Sequence, residues 1–237
     1  MTTSTQYPTA SPAALTVVWG VVAVVAVLPL LVDLPNVDDT YYGIKVRALL
    51  TVSAVMALGL LAQAPGVGAA VRPRGAAPLL AFAGAASLAA AVSVDPGLAV
   101  WGSRWRHEGL LVLLAYLVVC AASTQLVRRR RTLWVTALLA GGGLSALYGA
   151  AQYAGYEWVA RDPLRAGWVT AFAATGHPNY FGALMTLTAP FAAAAALVSP
   201  RGVGAAGGGV LSLLMFTAGL CSFSRAAWAG LLSGAVL

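Results

Sequence analysis

The chain has 237 residues, 60% of them apolar and only 9% charged, with a formal net charge of +7. Apolar stretches of about twenty residues recur along it, which excludes an ordinary soluble domain and predicts an all-α, polytopic transmembrane helix bundle. A charge of +7 would suit nucleic acid, but the basic residues fall between apolar stretches, so they read as a topology signal and exclude that partner.

In chain order, spans are predicted at 13–32, 46–62, 76–94, 109–124, 132–151, 180–198 and 203–221, about seven in all, with an eighth beginning at Ala226. The first has no basic residue ahead of it and no small-residue cleavage site behind it, so it reads as an uncleaved span. The connections alternate in charge. Arg72 and Arg74, then Arg128 to Arg131, then Arg201 occupy one set, which holds no acid. The other set holds Asp33, Asp38, Asp39, Asp95, Glu108, Glu157 and Asp162. The arginine-only set faces the cytoplasm by the positive-inside rule, which also places the N-terminus inside. Cys120 and Cys221 then fall on opposite sides, too far apart for a disulfide, and neither has metal-ligand neighbours. One lysine among fourteen basic residues, with abundant alanine, glycine and valine, points to a GC-rich bacterial coding sequence.

Most glycines read as packing residues that let helices approach closely, including Gly141-Gly142-Gly143 and Gly207-Gly208-Gly209. A glycine triplet in mid-membrane also suits a helix loosened for transport, so a polytopic transporter or a non-catalytic membrane scaffold is the alternative reading. No internal repeat supports it.

The outward connections carry the chemistry. The first, 33–45, is acidic and reads as a solvated connector with interfacial tyrosines, Tyr41 and Tyr42. The second, 93–109, is SVDPGLAVWGSRWRHEG. The third, 152–179, contains Tyr153, Tyr156, Trp158, Trp168 and His177. Trp101, Trp105, Trp158, Trp168 and Trp228 all fall on this side, where indole rings settle at headgroup depth. Arg104, Arg106, Arg161 and Arg165 lie among them. They serve either as local partners, as Arg106 would for Glu108, or as forked phosphate donors beside stacking rings. His107 and His177, the only imidazoles, are structural hydrogen-bonding groups or a base working near neutral pH.

The run from Val203 to Leu237 would be about 50 Å long as one helix, too long for a hydrocarbon core of about 30 Å. It is broken once, at Ser222-Phe223-Ser224-Arg225, so two helices meet there in a hairpin. An arginine at the bilayer centre costs roughly 3 kcal/mol or more, which places Arg225 at the tip. There it acts as an interfacial anchor or holds an anionic headgroup or phosphate. Pro178 suits the first position of a helix whose outer end the preceding residues cap, and Asn179 offers itself to backbone groups or to a sugar hydroxyl.

The chain has no HExxH, no phosphate-cradling glycine loop followed by lysine and no GxSxG, so it offers no metal or cofactor site and no serine-hydrolase elbow. TGHPNYFGALMTLTAPF, from Thr175, instead resembles a Gly-Asn-Pro-Asn-aromatic turn opening a transmembrane helix. SFSRAAWAGLL, from Ser222, is similar to a Ser-Arg-Gly-Ala-Trp helix start, and SVDPGLAVWGSRWRHEGLLVLLAYL to the outer loop that accompanies them. Together the three resemble the O-antigen ligase and polymerase family of bacterial envelope glycosyltransferases, over roughly 93–237. Residues 1–92 would then be N-terminal transmembrane helices.

The resemblance implies transfer of a glycan from an undecaprenyl-pyrophosphate-type carrier to a lipid, glycan or protein acceptor at the outer face of the bacterial cytoplasmic membrane. Arg225 occupies the family's Ser-Arg position, with Ser224 beside it, and would stabilise charge on the departing diphosphate without a metal. Arg104, Arg106, Arg165, His177 and Asn179 are further substrate-binding candidates. The family's general base is a histidine in a later outer loop, which this sequence lacks, so no catalytic residue is assigned. His177 replaces the turn's usual first asparagine, Ala226 the glycine after the arginine, and Thr170 a frequent arginine. The chain ends twelve residues into the eighth span, and the expectation is an N-terminal part of a longer enzyme, inactive alone.

Overall fold

The first helix, α1 (Pro12–Val22), starts at Ser11, whose hydroxyl accepts from the Ala14 amide at 3.2 Å, with Pro12 in the first position, where a missing N–H costs nothing. The helical path runs on through a wide π turn (Ala23–Val27) and a tight 3-10 turn (Leu28–Leu30), so Pro12–Leu30 forms one apolar rod. The wide turn brings this backbone onto Gly141, where an added methyl would sit 2.7 Å from the Val25 carbonyl oxygen. The computed structural model describes residues 11–33, 41–63, 73–103, 107–159, 170–200 and 202–236.

The remaining helices are α2 (Gly43–Ala62), α3 (Pro73–Ala91), α4 (Pro96–Trp101), α5 (Leu110–Tyr153), α6 (Pro178–Val198), α7 (Val203–Cys221) and α8 (Arg225–Val236). Among the described residues there is no strand. Five helical stretches are long and apolar enough to cross a membrane: Pro12–Leu30, Gly43–Ala62, Leu110–Tyr153, Pro178–Val198 and Val203–Cys221. This is the construction of a helical membrane bundle. Exposed leucines such as Leu58, Leu61, Leu80 and Leu213 suit a lipid solvent.

At 44 residues, α5 is not one rod. Arg130 leaves the helical region at φ −144°, ψ 54°, and the chain folds back there. Leu28 packs in the cluster with Val112, whereas Val25 and Ala26 touch the Gly141 position. In a straight helix those two α5 positions would be about 43 Å apart, beyond the reach of one turn of α1. The legs 110–129 and 131–153 therefore run antiparallel and cover the residues where spans are expected, 109–124 and 132–151. The Gly141-Gly142-Gly143 run lies inside uninterrupted helix. Gly142 meets Thr188 and Gly143 meets Leu211, so these glycines are contact points between helices.

The bundle has two chemically distinct ends. Arg128 to Arg131 mark one, where the start of α1 and the end of α2 also lie: the Gln63 amide donates to the Ala13 carbonyl at 3.4 Å. The end of α1, the start of α2, the end of α5 and the start of α6 meet at the other. Arg72, Arg201, Asp38, Asp39, Asp162, Arg161, Trp105 and Trp168 lie outside the described residues. Three apolar clusters hold the helices together. The largest contains Phe172, Phe181, Met185, Met215, Ala218 and Leu231; Val17, Val21, Met56, Ala122 and Leu126 form a second, and Leu49, Val112 and Ala115 a third. Cys120 and Cys221 are both free thiols.

One expectation is corrected. The connection before α2 is not simply solvated with interfacial tyrosines, because Tyr41 is only 8% exposed and meets the Phe172 ring edge-on at 5.9 Å. Gly176 makes room for it: with φ +79°, its missing Cβ would lie 2.5 Å from the Tyr41 Cβ.

Candidate functional site

Ahead of α6 the chain enters the bundle as a short irregular stretch followed by a 3-10 turn (Ala173–Thr175). Ala171, Phe172, Ala173 and Ala174 are all buried, so their polar groups need partners within the protein. The Ala171 amide donates to the Cys221 carbonyl at 2.9 Å. The Phe172 and Ala173 amides both donate to Gln152 Oε1, at 2.8 and 2.9 Å. Gln152 is itself buried at the end of α5, and its amide nitrogen donates to Glu157 at 3.1 Å. The Ala174 carbonyl receives Lys45 Nζ at 2.6 Å, and the same ammonium donates to the Leu31 and Tyr41 carbonyls at 2.6 and 2.9 Å. One lysine thus joins the end of α1, the start of α2 and the approach to α6.

That approach delivers His177 to the N-cap of α6. Its backbone is extended (φ −148°, ψ 137°), and its Nδ1 accepts from the Asn179 amide at 3.1 Å, so the ring carries its proton on Nε2. The imidazole performs the cap that an asparagine would supply, and Pro178 takes the first helical position as expected. The side chain of Asn179 plays no part in this cap; it is exposed and makes no hydrogen bond among the described residues. Tyr180 lies 5.4 Å from the His177 ring and 6.1 Å from Tyr42, centroid to centroid.

The hairpin between α7 and α8 is equally defined. Ser222 is fully buried and donates to the Gly219 carbonyl at 2.7 Å while accepting from the Ser224 amide at 3.2 Å. Ser224 Oγ then caps α8 by accepting from Ala227 at 3.4 Å. Phe223 sits at φ +54°, a left-handed conformation costing a non-glycine residue about 1 kcal/mol. Its ring lies 6.3 Å from Tyr153 and 5.9 Å from Trp228, and the Trp228 indole donates to the Leu220 carbonyl at 3.0 Å. Arg225 follows as the first residue of α8, exposed and without an ion-pair partner among the described residues.

Two segments forty residues apart in sequence meet here. Gly182, one turn into α6, touches the hairpin so closely that a methyl there would lie 2.5 Å from the Ala227 Cβ, 2.9 Å from Ser222 Oγ and 3.2 Å from the Ser224 Cβ. Further along the helices, Gly230 meets Thr186 and Gly219 meets Leu231. The start of α6 and the start of α8 thus form one packed unit carrying His177, Asn179, Ser224 and Arg225.

Arg104, Arg106 and Arg165 lie outside the described residues. The loop bearing the first two is bounded by Gly102, at φ +82°, and Gly109. The Gly102 amide and the Val100 carbonyl sit against the Gly109 Cα, so any side chain at Gly109 would strike backbone. Trp158 stacks on Tyr148 with ring centroids 4.9 Å apart, and Tyr148 Oη accepts from the Val159 amide at 3.1 Å. Sequence reasoning missed Lys45 and Gln152. The only signals for them are a lone lysine and a polar amide at the end of an apolar helix.

The Arg225 surface is open. Two recesses lie elsewhere, one of about 90 Å³ beside Gln125, Arg129 and Arg130, the other of about 240 Å³ beside Glu108. No group of three histidine, cysteine or acidic side chains among the described residues could hold a metal ion. No protein family, curated protein or solved structure matches the chain.

Proposed function

We propose that this protein is a membrane glycosyltransferase of the O-antigen ligase or polymerase type, whose His177–Arg225 end holds the diphosphate of a lipid-linked glycan at the outer face of a bacterial cytoplasmic membrane. In this reading the N-terminus is cytoplasmic and the chain crosses seven times before α8. The observation that supports it is Arg225 itself. A cation in the first turn of a helix is on the wrong side of the helix dipole and weakens the helix slightly. This one gains no compensating ion pair among the described residues, and it stands on a hairpin packed closely against the start of α6. An exposed guanidinium at the start of a helix, where the dipole favours negative charge, is well made for phosphate oxygens.

In the proposed reaction the bond between the sugar anomeric carbon and the carrier diphosphate breaks, an acceptor hydroxyl forms the new glycosidic bond, and its proton leaves with the departing diphosphate. Arg225 stabilises negative charge growing on the departing diphosphate. Asn179, exposed and uncommitted, binds a sugar hydroxyl in this reading. His177 is a positioning residue, because its Nδ1 is engaged in the cap.

The test is transfer from undecaprenyl-pyrophosphate-linked oligosaccharide by membranes carrying the complete gene product. Arg225→Ala is expected to lower transfer at least tenfold with unchanged protein level. Unchanged transfer and unchanged donor binding would overturn the assignment.

A further inference from the structure

At the end of the bundle opposite Arg225, the reversal at Arg130 leaves Arg129, Arg130 and Arg131 exposed on the corner of α5. None of the three has an ion-pair partner among the described residues. The described carboxylates cannot neutralise them, because Asp33, Asp95, Glu108 and Glu157 all belong to the other end. Arg129 and Arg130 also line the recess of about 90 Å³ that opens between this corner and α1.

The recess has two chemically different walls. Leu15 and Val18 of α1 supply apolar surface, while Gln63, Gln125, Arg129 and Arg130 supply donors. Gln125 carries most weight. It is only 8% exposed, it lines the recess, and its amide makes no hydrogen bond among the described residues. Its amide is therefore not sealed inside the bundle but opens on the recess, where a group from outside the protein can reach it. Gln63 by contrast is committed, donating to the Gly59 carbonyl at 2.9 Å.

We infer that this recess is a binding site for an anionic diacyl phospholipid. The headgroup phosphate lies between Arg129 and Arg130 and accepts from the Gln125 amide, and an acyl chain runs along Leu15 and Val18. A basic recess between membrane helices with an apolar lower wall is the arrangement that retains acidic headgroups, and each arginine near the surface favours an anionic lipid about fivefold. A soluble phosphate would use the donors and leave the apolar wall empty. The site is independent of the glycosyltransferase reading and lies at the other end of the molecule.

The test uses the full chain purified in a neutral detergent and titrated in parallel with phosphatidylglycerol, phosphatidylcholine and inorganic phosphate. Retained lipid is counted by native mass spectrometry, and the thermal midpoint is followed. Phosphatidylglycerol is expected to be retained at least about fivefold over phosphatidylcholine and to raise the midpoint more. Arg129→Gln with Arg130→Gln should abolish the preference, and Gln125→Leu should reduce it while leaving the charge intact. Equal retention of the two lipids by the unaltered protein would overturn the site without any variant. So would an equal midpoint shift with inorganic phosphate alone, or a preference that survives in a folded double variant.

Discussion

Lys45 Nζ and the carbonyl oxygen of Ala174 lie 2.6 Å apart, a hydrogen bond between residues 129 positions apart in the chain. With Leu31 and Tyr41 as its other two acceptors, the ammonium uses three donors on three carbonyls and joins three segments. Lys45→Met keeps the stem and removes every donor, leaving carbonyls without their partner. The expected loss is about 2–4 kcal/mol, seen as a lower thermal midpoint in detergent. Lys45→Arg should recover only part of it, because a planar fork cannot direct three donors at converging carbonyls as an ammonium does.

The cap at His177 predicts a ranked pair. His177→Asn retains a side-chain acceptor for the Asn179 amide and should leave stability unchanged. His177→Ala removes it and should cost about 1 kcal/mol. Thermal unfolding of both variants checks this; an asparagine variant as unstable as the alanine one would show that ring contacts with Tyr180, rather than the cap, hold the turn.

Gly182 fixes the distance between α6 and the hairpin. Gly182→Val places branched carbons where Ala227, Ser222 and Ser224 already lie, and the overpacking should cost about 1–3 kcal/mol. Gly84, with no heavy atom near its Cβ position, is the control, since Gly84→Ala should be neutral or slightly stabilising. Proteolysis rates of the two variants separate these outcomes.

Arg225 predicts the reverse sign. Its positive charge opposes the dipole of α8, so Arg225→Gln should unfold no more readily than the unaltered protein, and Arg225→Glu should be slightly more stable, by up to about 1 kcal/mol. Thermal midpoints at low salt show the effect best. A marked loss in both variants would make this arginine a structural anchor.

Gln152 completes the set. Gln152→Leu strips the acceptor from two buried amides at once, those of Phe172 and Ala173, and should cost about 2–4 kcal/mol. Hydrogen exchange at these two amides should rise together.

Much of this was legible in the sequence. Hydropathy located the helices to within a few residues, Pro178 marked the start of α6, and the polar break at Ser222 to Arg225 marked the hairpin, because each signal is local. What was hidden depends on distant backbone. Nothing in the residues around Lys45 says that its ammonium will meet the carbonyl of Ala174, and an acidic, tyrosine-bearing connector reads as solvated until Phe172 covers Tyr41. The role of Gln152 was hidden for the same reason, since a main-chain amide looks alike at every position. Of the two roles open to Asn179, the backbone one is not taken by its side chain, because the neighbouring imidazole holds the cap.

The clasp between Gly102 and Gly109 has a practical outcome. Because backbone meets backbone at its base, the points where the chain leaves and rejoins the bundle at Gly102 and Gly109 are held together. A protease site or fluorophore placed between them would gauge which compartment this end of the protein faces.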